Sequence, residues 1–184
     1  MVVLKDALKI LETKKILLEE NDIFNYLKIN KRWPYRYAWG QPSIEILSNV
    51  DDLKMDKYFF NVRGEFQFER WKELYDLGYT AIISNVLDLN NDLREIHKTL
   101  LNEVGLDVSG NFYFSKVGQK PSFESHNHDY TVIVKQIYGD SDWEVGNQKF
   151  TMKPQNVCCI PKGVNHRVLS KKNNKLSLTI NLEP

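Results

Sequence analysis

The chain has 184 residues, 42% of them apolar and 27% charged, a mix that buries a core and excludes a disordered chain. Twenty-five basic residues against 24 acidic ones leave a net charge of +1, which argues against a surface-wide field for nucleic acid or membrane. The two cysteines, Cys158 and Cys159, are adjacent, so no disulfide scaffold is built, and no apolar run reaches the ~18–20 residues of a membrane span.

Lys5, Asp6, Lys9 and Glu12 interrupt the apolar residues of the N-terminus. A signal peptide is therefore not expected, and a reducing, cytoplasmic setting is. Leu4, Leu8, Ile10, Leu11 and Leu17 predict a first helix from Leu4 to Glu20. A less regular stretch follows over 21–56. Within it Lys31, Arg32 and Arg36 interleave with Trp33, Tyr35, Tyr37 and Trp39. This reads as a loop pinned by its rings, with a surface for an acidic partner as the alternative. Tyr58–Val62 reads as a strand, Phe66–Leu77 as a helix ended by Gly78, and Thr80–Ser84 as a strand. A third helix starts near Asn91, capped by Asn90 or Asn91 and closed by Gly105. His97, beside Lys98 on that helix, reads as a surface residue.

The period then changes to two. Asn111–Val117, Tyr130–Tyr138, Asp142–Val145, Lys149–Met152, Asn156–Ile160, His166–Ser170 and Leu176–Leu182 read as strands, with Gly146-Asn147 as a tight hairpin. The expected fold is mainly β with N-terminal helices. A helical and mixed region, 1–105, packs on a barrel core, 106–184, within one structural domain.

Three of the four histidines fall in the β half: His126, His128 and His166. Residues two apart on an extended strand face the same side, so His126 and His128 can look into one barrel. His166 opens the strand behind the Pro161-Lys162-Gly163 turn. If the strands are neighbours, three neutral imidazoles meet at one point with coordination positions left open, as in a metal site. Imidazole serves several divalent metals, so the spacing alone leaves the metal open. Tyr113, Gln136 and Tyr138 are candidates for the pocket wall. Gln136 and Tyr138 share the parity of the histidine pair. Cys158 and Cys159 precede the turn on a strand and read as small core residues.

Gly118…His126-X-His128…Gly139 and Pro161-X-Gly163-X-X-His166 resemble the two motifs of the cupin superfamily. Over roughly residues 78–184 the chain looks like the cupin-like JmjC oxygenases, the relatives of the ribosomal-protein hydroxylases. The runs that carry this likeness are Gly78–Val86, Ser122–Asp129, Val132–Gly139 with Trp143, and Leu176–Ile180. The resemblance implies a double-stranded β-helix (jelly-roll barrel). It also implies Fe(II) and 2-oxoglutarate chemistry that hydroxylates a protein, peptide or small molecule. Two positions depart from the family pattern. His128 stands where a carboxylate is usual, with Asp129 one residue on and facing away from the metal on a regular strand. Ser141 stands where a basic residue is expected to pair with the distal carboxylate of 2-oxoglutarate, which leaves Lys116, Lys135, Lys162 or Arg167 to supply the cation. An all-histidine set also resembles the three-histidine cupins that use no cosubstrate, of the thiol-dioxygenase type, although Val132 stands where those carry a glutamate. A third reading is a non-catalytic cupin that binds a metal or ligand. The chain ends just after its last barrel strand, so a homodimer contact, if there is one, is expected from the N-terminal region or the barrel face.

Overall fold

The computed structural model describes residues 2–30, 43–49, 52–54, 58–118 and 123–183. Helix α1 spans Val2–Thr13 and α2 Glu20–Lys28. The continuous helix expected to Glu20 is therefore broken. Local propensity does not break it, since residues 14–20 hold good helix formers; tertiary partners do. Lys135 Nζ donates to the Leu11 carbonyl at 2.7 Å, taking up an end-of-helix acceptor. Gln155 grips Ile16 from both sides: its Oε1 accepts from Ile16 N (3.4 Å) and its Nε2 donates to Ile16 O (3.2 Å). Helix α2 restarts where the Asp22 carboxylate accepts from the Glu19 N–H at 2.8 Å.

The stretch read as irregular over 21–56 thus holds α2, β1 (Ile44–Asn49) and β2 (Asp52–Lys54). Its aromatic and basic run, 31–39, lies outside the described residues. Tyr58–Val62 is not a strand but a short turn into a tight loop. Asn61 N bonds Glu65 O at 3.0 Å, Gly64 sits at φ 72, and one isolated bridge joins Phe60 to Phe66. That loop consumes Phe66 and Gln67, so α3 runs Phe68–Asp76. Helix α4, Asn91–Val104, is capped as expected. The Asn90 side chain accepts from Leu93 N at 2.8 Å, and Gly105 closes the helix at φ 65.

The strands are β3 (Thr80–Ile83), β4 (Asp107–Ser115), β5 (Thr131–Tyr138), β6 (Ser141–Val145), β7 (Gln148–Met152), β8 (Val157–Ile160), β9 (His166–Lys171) and β10 (Lys175–Glu183). They form a seven-stranded sheet, β2-β1-β3-β4-β10-β5-β8, and a three-stranded sheet, β7-β6-β9. Every described pairing within the two sheets is antiparallel.

The large sheet is covered on both faces, and alternation along its strands sorts side chains between two cores. Ala81, Ile83, Phe112, Phe114, Leu176, Leu178 and Ile180 meet the helices, where Trp71 and Tyr75 pack on Phe114 and Phe24 packs on Tyr75. Val132 and Val134 face the small sheet and join Trp143, Met152 and Ile160 in the barrel interior. The double-stranded β-helix expected from the motifs is the fold observed. Among the described residues no helix is long and apolar enough to cross a membrane.

Candidate metal centre

His126 does not lie on a long strand. It forms an isolated antiparallel bridge with His166, the first residue of β9. His126 N bonds His166 O at 3.2 Å, and His166 N bonds His126 O at 2.8 Å. The turn behind His166 forms because Gly163 takes φ 78, which lets Val164 N reach Pro161 O at 3.1 Å. The same Gly163 donates its N–H to His128 O at 2.8 Å. Both motifs are thereby stitched together through the backbone.

The three rings follow. Their centroids lie 4.4 Å apart for His126–His166, 5.1 Å for His126–His128 and 5.2 Å for His128–His166. One nitrogen from each falls within 4.8 Å of the others. An ion held at ~2.1 Å by three imidazoles asks for nitrogens within ~4 Å of one another, so small ring rotations complete the site. His126 Nδ1 lies 2.7 Å from Glu124 O and His166 Nδ1 lies 3.1 Å from Val164 O. A carbonyl only accepts, so each Nδ1 carries a proton and Nε2 is the nitrogen left to face a metal. The His128 ring is set by stacking on Tyr130, 5.0 Å away at 12°. Burial first, and the neighbouring His126 next, hold His128 below the ordinary imidazole range. Burial does the same to His166. Three clustered imidazoles, His128 and His166 among them favoured in the neutral form, fit a divalent metal. Asp129 stays exposed and outside the cluster.

The histidines line a cavity of about 190 Å³ between the sheets, together with Tyr113, Phe123, Val132, Val134, Trp143 and others. This is below the ~300–1,000 Å³ of pockets that take drug-sized ligands. Tyr113 is among its lining residues, its phenol pushed up to about 12 by burial. Gln136 faces the same interior: its Oε1 accepts from Ser177 (3.0 Å) and Ser141 (3.3 Å). Ser141 also accepts from Trp143 Nε1 at 2.9 Å.

Tyr138 does not reach the cavity. The β5–β10 register slips between Leu176 and Ser177, so Ser177 pairs with Gln136 but Leu176 with Tyr138. This bulge turns Tyr138 to the helical face with Leu176, and strand parity no longer applies. Lys116 is also elsewhere, ion-paired to Asp76 at 2.7 Å. The other cations considered for a distal carboxylate are committed or outside. Lys135 bonds the first helix, Lys162 is exposed in its turn, and Arg167 at the cavity wall makes a two-pronged pair with Glu144 at 2.7 Å. His97 is half-buried rather than on the surface, with Nε2 3.1 Å from Val108 O. Cys158 packs in the barrel core, its thiol pushed up to about 11 by burial, and neither cysteine joins the histidine cluster.

Sequence reasoning missed several cavity residues, among them the buried Lys175. Lys175 opens β10, is 2% exposed and lines the cavity. Its signal was the alternation Lys175-Leu176-Ser177-Leu178-Thr179-Ile180, which on an outer strand means a solvated face. Here β10 is central and its polar face looks into the barrel.

No protein-family model matches the chain, and no curated protein matches it by sequence. Solved structures do match. The ribosomal oxygenase YcfD of Escherichia coli, in complex with cobalt and succinic acid, aligns over 94% of this chain and 46% of its own, with TM-score 0.63 and 14% identity. A second structure of that enzyme gives TM-score 0.60 and 15% identity over the same 94% of this chain and 45% of its own. A cupin superfamily protein of Desulfitobacterium hafniense aligns over 42% of this chain and 68% of its own, with TM-score 0.38 and 18% identity. The chain thus shares the overall fold of the ribosomal oxygenase, spanning less than half of that enzyme's length.

Proposed function

We propose that the chain is a metal-dependent oxygenase. In this reading His126, His128 and His166 hold Fe(II), and the cavity beside them takes a small organic acid such as 2-oxoglutarate together with a small-molecule, peptide or protein substrate. The observation that carries the reading is three imidazoles on the cavity wall, each with a ring nitrogen within 4.8 Å of the others'. The fold likeness to an oxygenase over 94% of the chain supports it. Bound there, the ion supplies the redox and Lewis-acid chemistry for O2. The chain's own part is to orient and to exclude. The Glu124 and Val164 carbonyls fix two ring tautomers, and Val132, Val134 and Trp143 keep the interior dry.

A second reading is a three-histidine cupin that uses no cosubstrate. The all-imidazole ligand set, with Asp129 outside it and Val132 on the cavity wall, favours it. The test is anaerobic purification, measurement of bound metal, and Fe(II) addition under O2 with and without 2-oxoglutarate. Succinate formation supports the first reading, and O2 uptake only with a thiol or other small substrate supports the second. Stoichiometric metal without O2 uptake reduces the chain to a binding module, and failure to bind any metal defeats all three. His166→Ala is expected to lose at least about tenfold in metal affinity with an unchanged circular dichroism spectrum. Full occupancy in that variant removes His166 from the ligand set.

A further inference from the structure

Gln155 holds a backbone conformation that its side chain disfavours. Lys153–Asn156 form a turn closed by Asn156 N to Lys153 O at 2.9 Å, with Pro154 second and Gln155 third, at φ 68. A turn with proline second and a positive φ third is of type II, and its third place favours glycine or asparagine. Among the described residues the one other non-glycine residue at positive φ is Asn85. Asparagine tolerates that region, whereas glutamine enters it at a cost that its contacts must offset.

The contacts come from the segment 14–18 between α1 and α2, and from β5. The Gln155 carboxamide accepts from Ile16 N, donates to Ile16 O and also donates to Ile137 O at 3.1 Å. Its backbone N–H donates to Gln136 O at 2.7 Å, and Gln136 N donates to Asn156 O at 2.9 Å. With Lys135 bonded to Leu11 O, the consecutive β5 residues Lys135, Gln136 and Ile137 are all tied to the N-terminal segment or to the glutamine that grips it. Gln136 then carries the connection into the barrel. Its Oε1 accepts from Ser177 and Ser141, and Ser141 accepts from Trp143 Nε1. Trp143 and Ser177 line the cavity. Lys175 rests against both: its Nζ donates to Ser177 Oγ at a long 3.4 Å and lies 5.6 Å from the centre of the Trp143 ring. A run of hydrogen bonds thus leads from Ile16 through Gln155, Gln136 and Ser141 to Trp143. One member of the run has two alternatives. With the segment docked, Gln155 is held left-handed. With the segment lifted, both bonds to Ile16 are lost, and relaxation to negative φ swings the Gln155 N–H away from Gln136 O.

We infer that the segment 14–18 is a conformational latch on the cavity. Docked, it holds Gln155 in its left-handed turn and, through Gln136, fixes the wall formed by Ser141, Ser177 and Trp143. Lifted, it releases that wall, so whatever engages the N-terminal segment from outside changes the cavity without entering it. The latch is independent of which reaction the metal serves.

The test follows the indole N–H signals of Trp143 and Trp71 in the full chain by NMR, together with their exchange in deuterated solvent. Trp143→Phe and Trp71→Phe assign them. Trp71 is 0% exposed in the helical core and lies off the path, so it reports general loosening. Gln155→Met keeps the length of the side chain and loses its bonds. Gln155→Gly loses the same bonds and relieves the turn. In both, the Trp143 signal is expected to move while that of Trp71 stays. Exchange at Trp143 should accelerate about fivefold more than at Trp71, the equivalent of one lost hydrogen bond. Gln155→Gly should melt higher than Gln155→Met, and the reverse order would remove the strained turn from the device and overturn it. Ile16→Ala takes away the segment's buried anchor, 1% exposed, and leaves Gln155 in place; it should move the Trp143 signal in the same direction. A Trp143 signal that stays in place in the Gln155 variants overturns the inference, as does equal acceleration of the two indoles, which marks a purely structural role. Movement in the Gln155 variants but not in Ile16→Ala overturns the latch and leaves only a turn. If Gln155→Met is insoluble, Gln155→Gly decides by the same signals.

Discussion

A charged lysine inside a barrel should be measurable as instability, and Lys175→Met isolates it. Burial first, then Lys171, bring the Lys175 ammonium from its ordinary 10.5 down to about 7. Each pH unit of that displacement corresponds to about 1.4 kcal/mol, so the ligand-free fold carries about 4–5 kcal/mol of cost near neutrality. Methionine has a similar length, no charge, and a place beside Trp143. The change forfeits the long contact to Ser177, about 1 kcal/mol, so the variant should be more stable than wild type by about 3 kcal/mol at pH 7. The pH dependence has a definite sign. A folded pKa below the unfolded one gives stability that is present above about pH 10.5 and is lost as pH falls towards about 7. The wild-type chain therefore gains stability from neutral to alkaline pH relative to Lys175→Met, and the gap between them closes. Urea unfolding of both proteins, followed by tryptophan fluorescence at several pH values across this range, measures it. A variant that is less stable at neutral pH, or a gap that does not change with pH, refutes the reasoning.

Further outcomes follow from other contacts. Gln155→Ala removes the bonds to Ile16 and the 3.1 Å bond to Ile137 O; a loss of about 2 kcal/mol is expected, with amide exchange accelerated in α1 more than in α4. Equal acceleration in both helices would show that Gln155 does not tether the N-terminal segment. Gly139→Ala places a Cβ 2.0 Å from the Asn174 carbonyl at φ 74, so it should cost more than about 2 kcal/mol or abolish soluble expression; a wild-type melting temperature contradicts the packing. His128 and His166 are held below the ordinary imidazole value of 6.5. Metal should stay bound as pH falls through 6.5 and be lost only lower, and the stability present above 6.5 should fall away over the same interval. Metal analysis after equilibration across that range checks this, and half-release above pH 6.5 contradicts it.

The barrel half was legible because its determinants are local. The change of period at Asn111, the Gly146-Asn147 hairpin and the Pro161–Gly163 turn each act within a few residues. The His126–His128 spacing is local in the same way, whereas bringing His166 to them takes the bridge between His126 and His166. What escaped was set at a distance. The break after Thr13 depends on Lys135 and Gln155, more than a hundred residues away in sequence. Tyr138 lost its predicted direction to one extra residue in a strand, which no alternation pattern announces. Lys175 went unnoticed because burial of a polar face depends on which strands lie beside it. Lys116 had the right charge for a distal carboxylate, but Asp76 already holds it.

The reciprocal backbone bonds between His126 and His166 divide the cluster unevenly. Two of its corners are locked to each other by main chain, so their spacing tolerates changes in the surrounding side chains. The third corner hangs from a separate bond, between Gly163 and His128, and its ring stacks on Tyr130. Drift in ion preference should therefore be concentrated at position 128, where one substitution alters the charge around the ion without disturbing the frame that presents it.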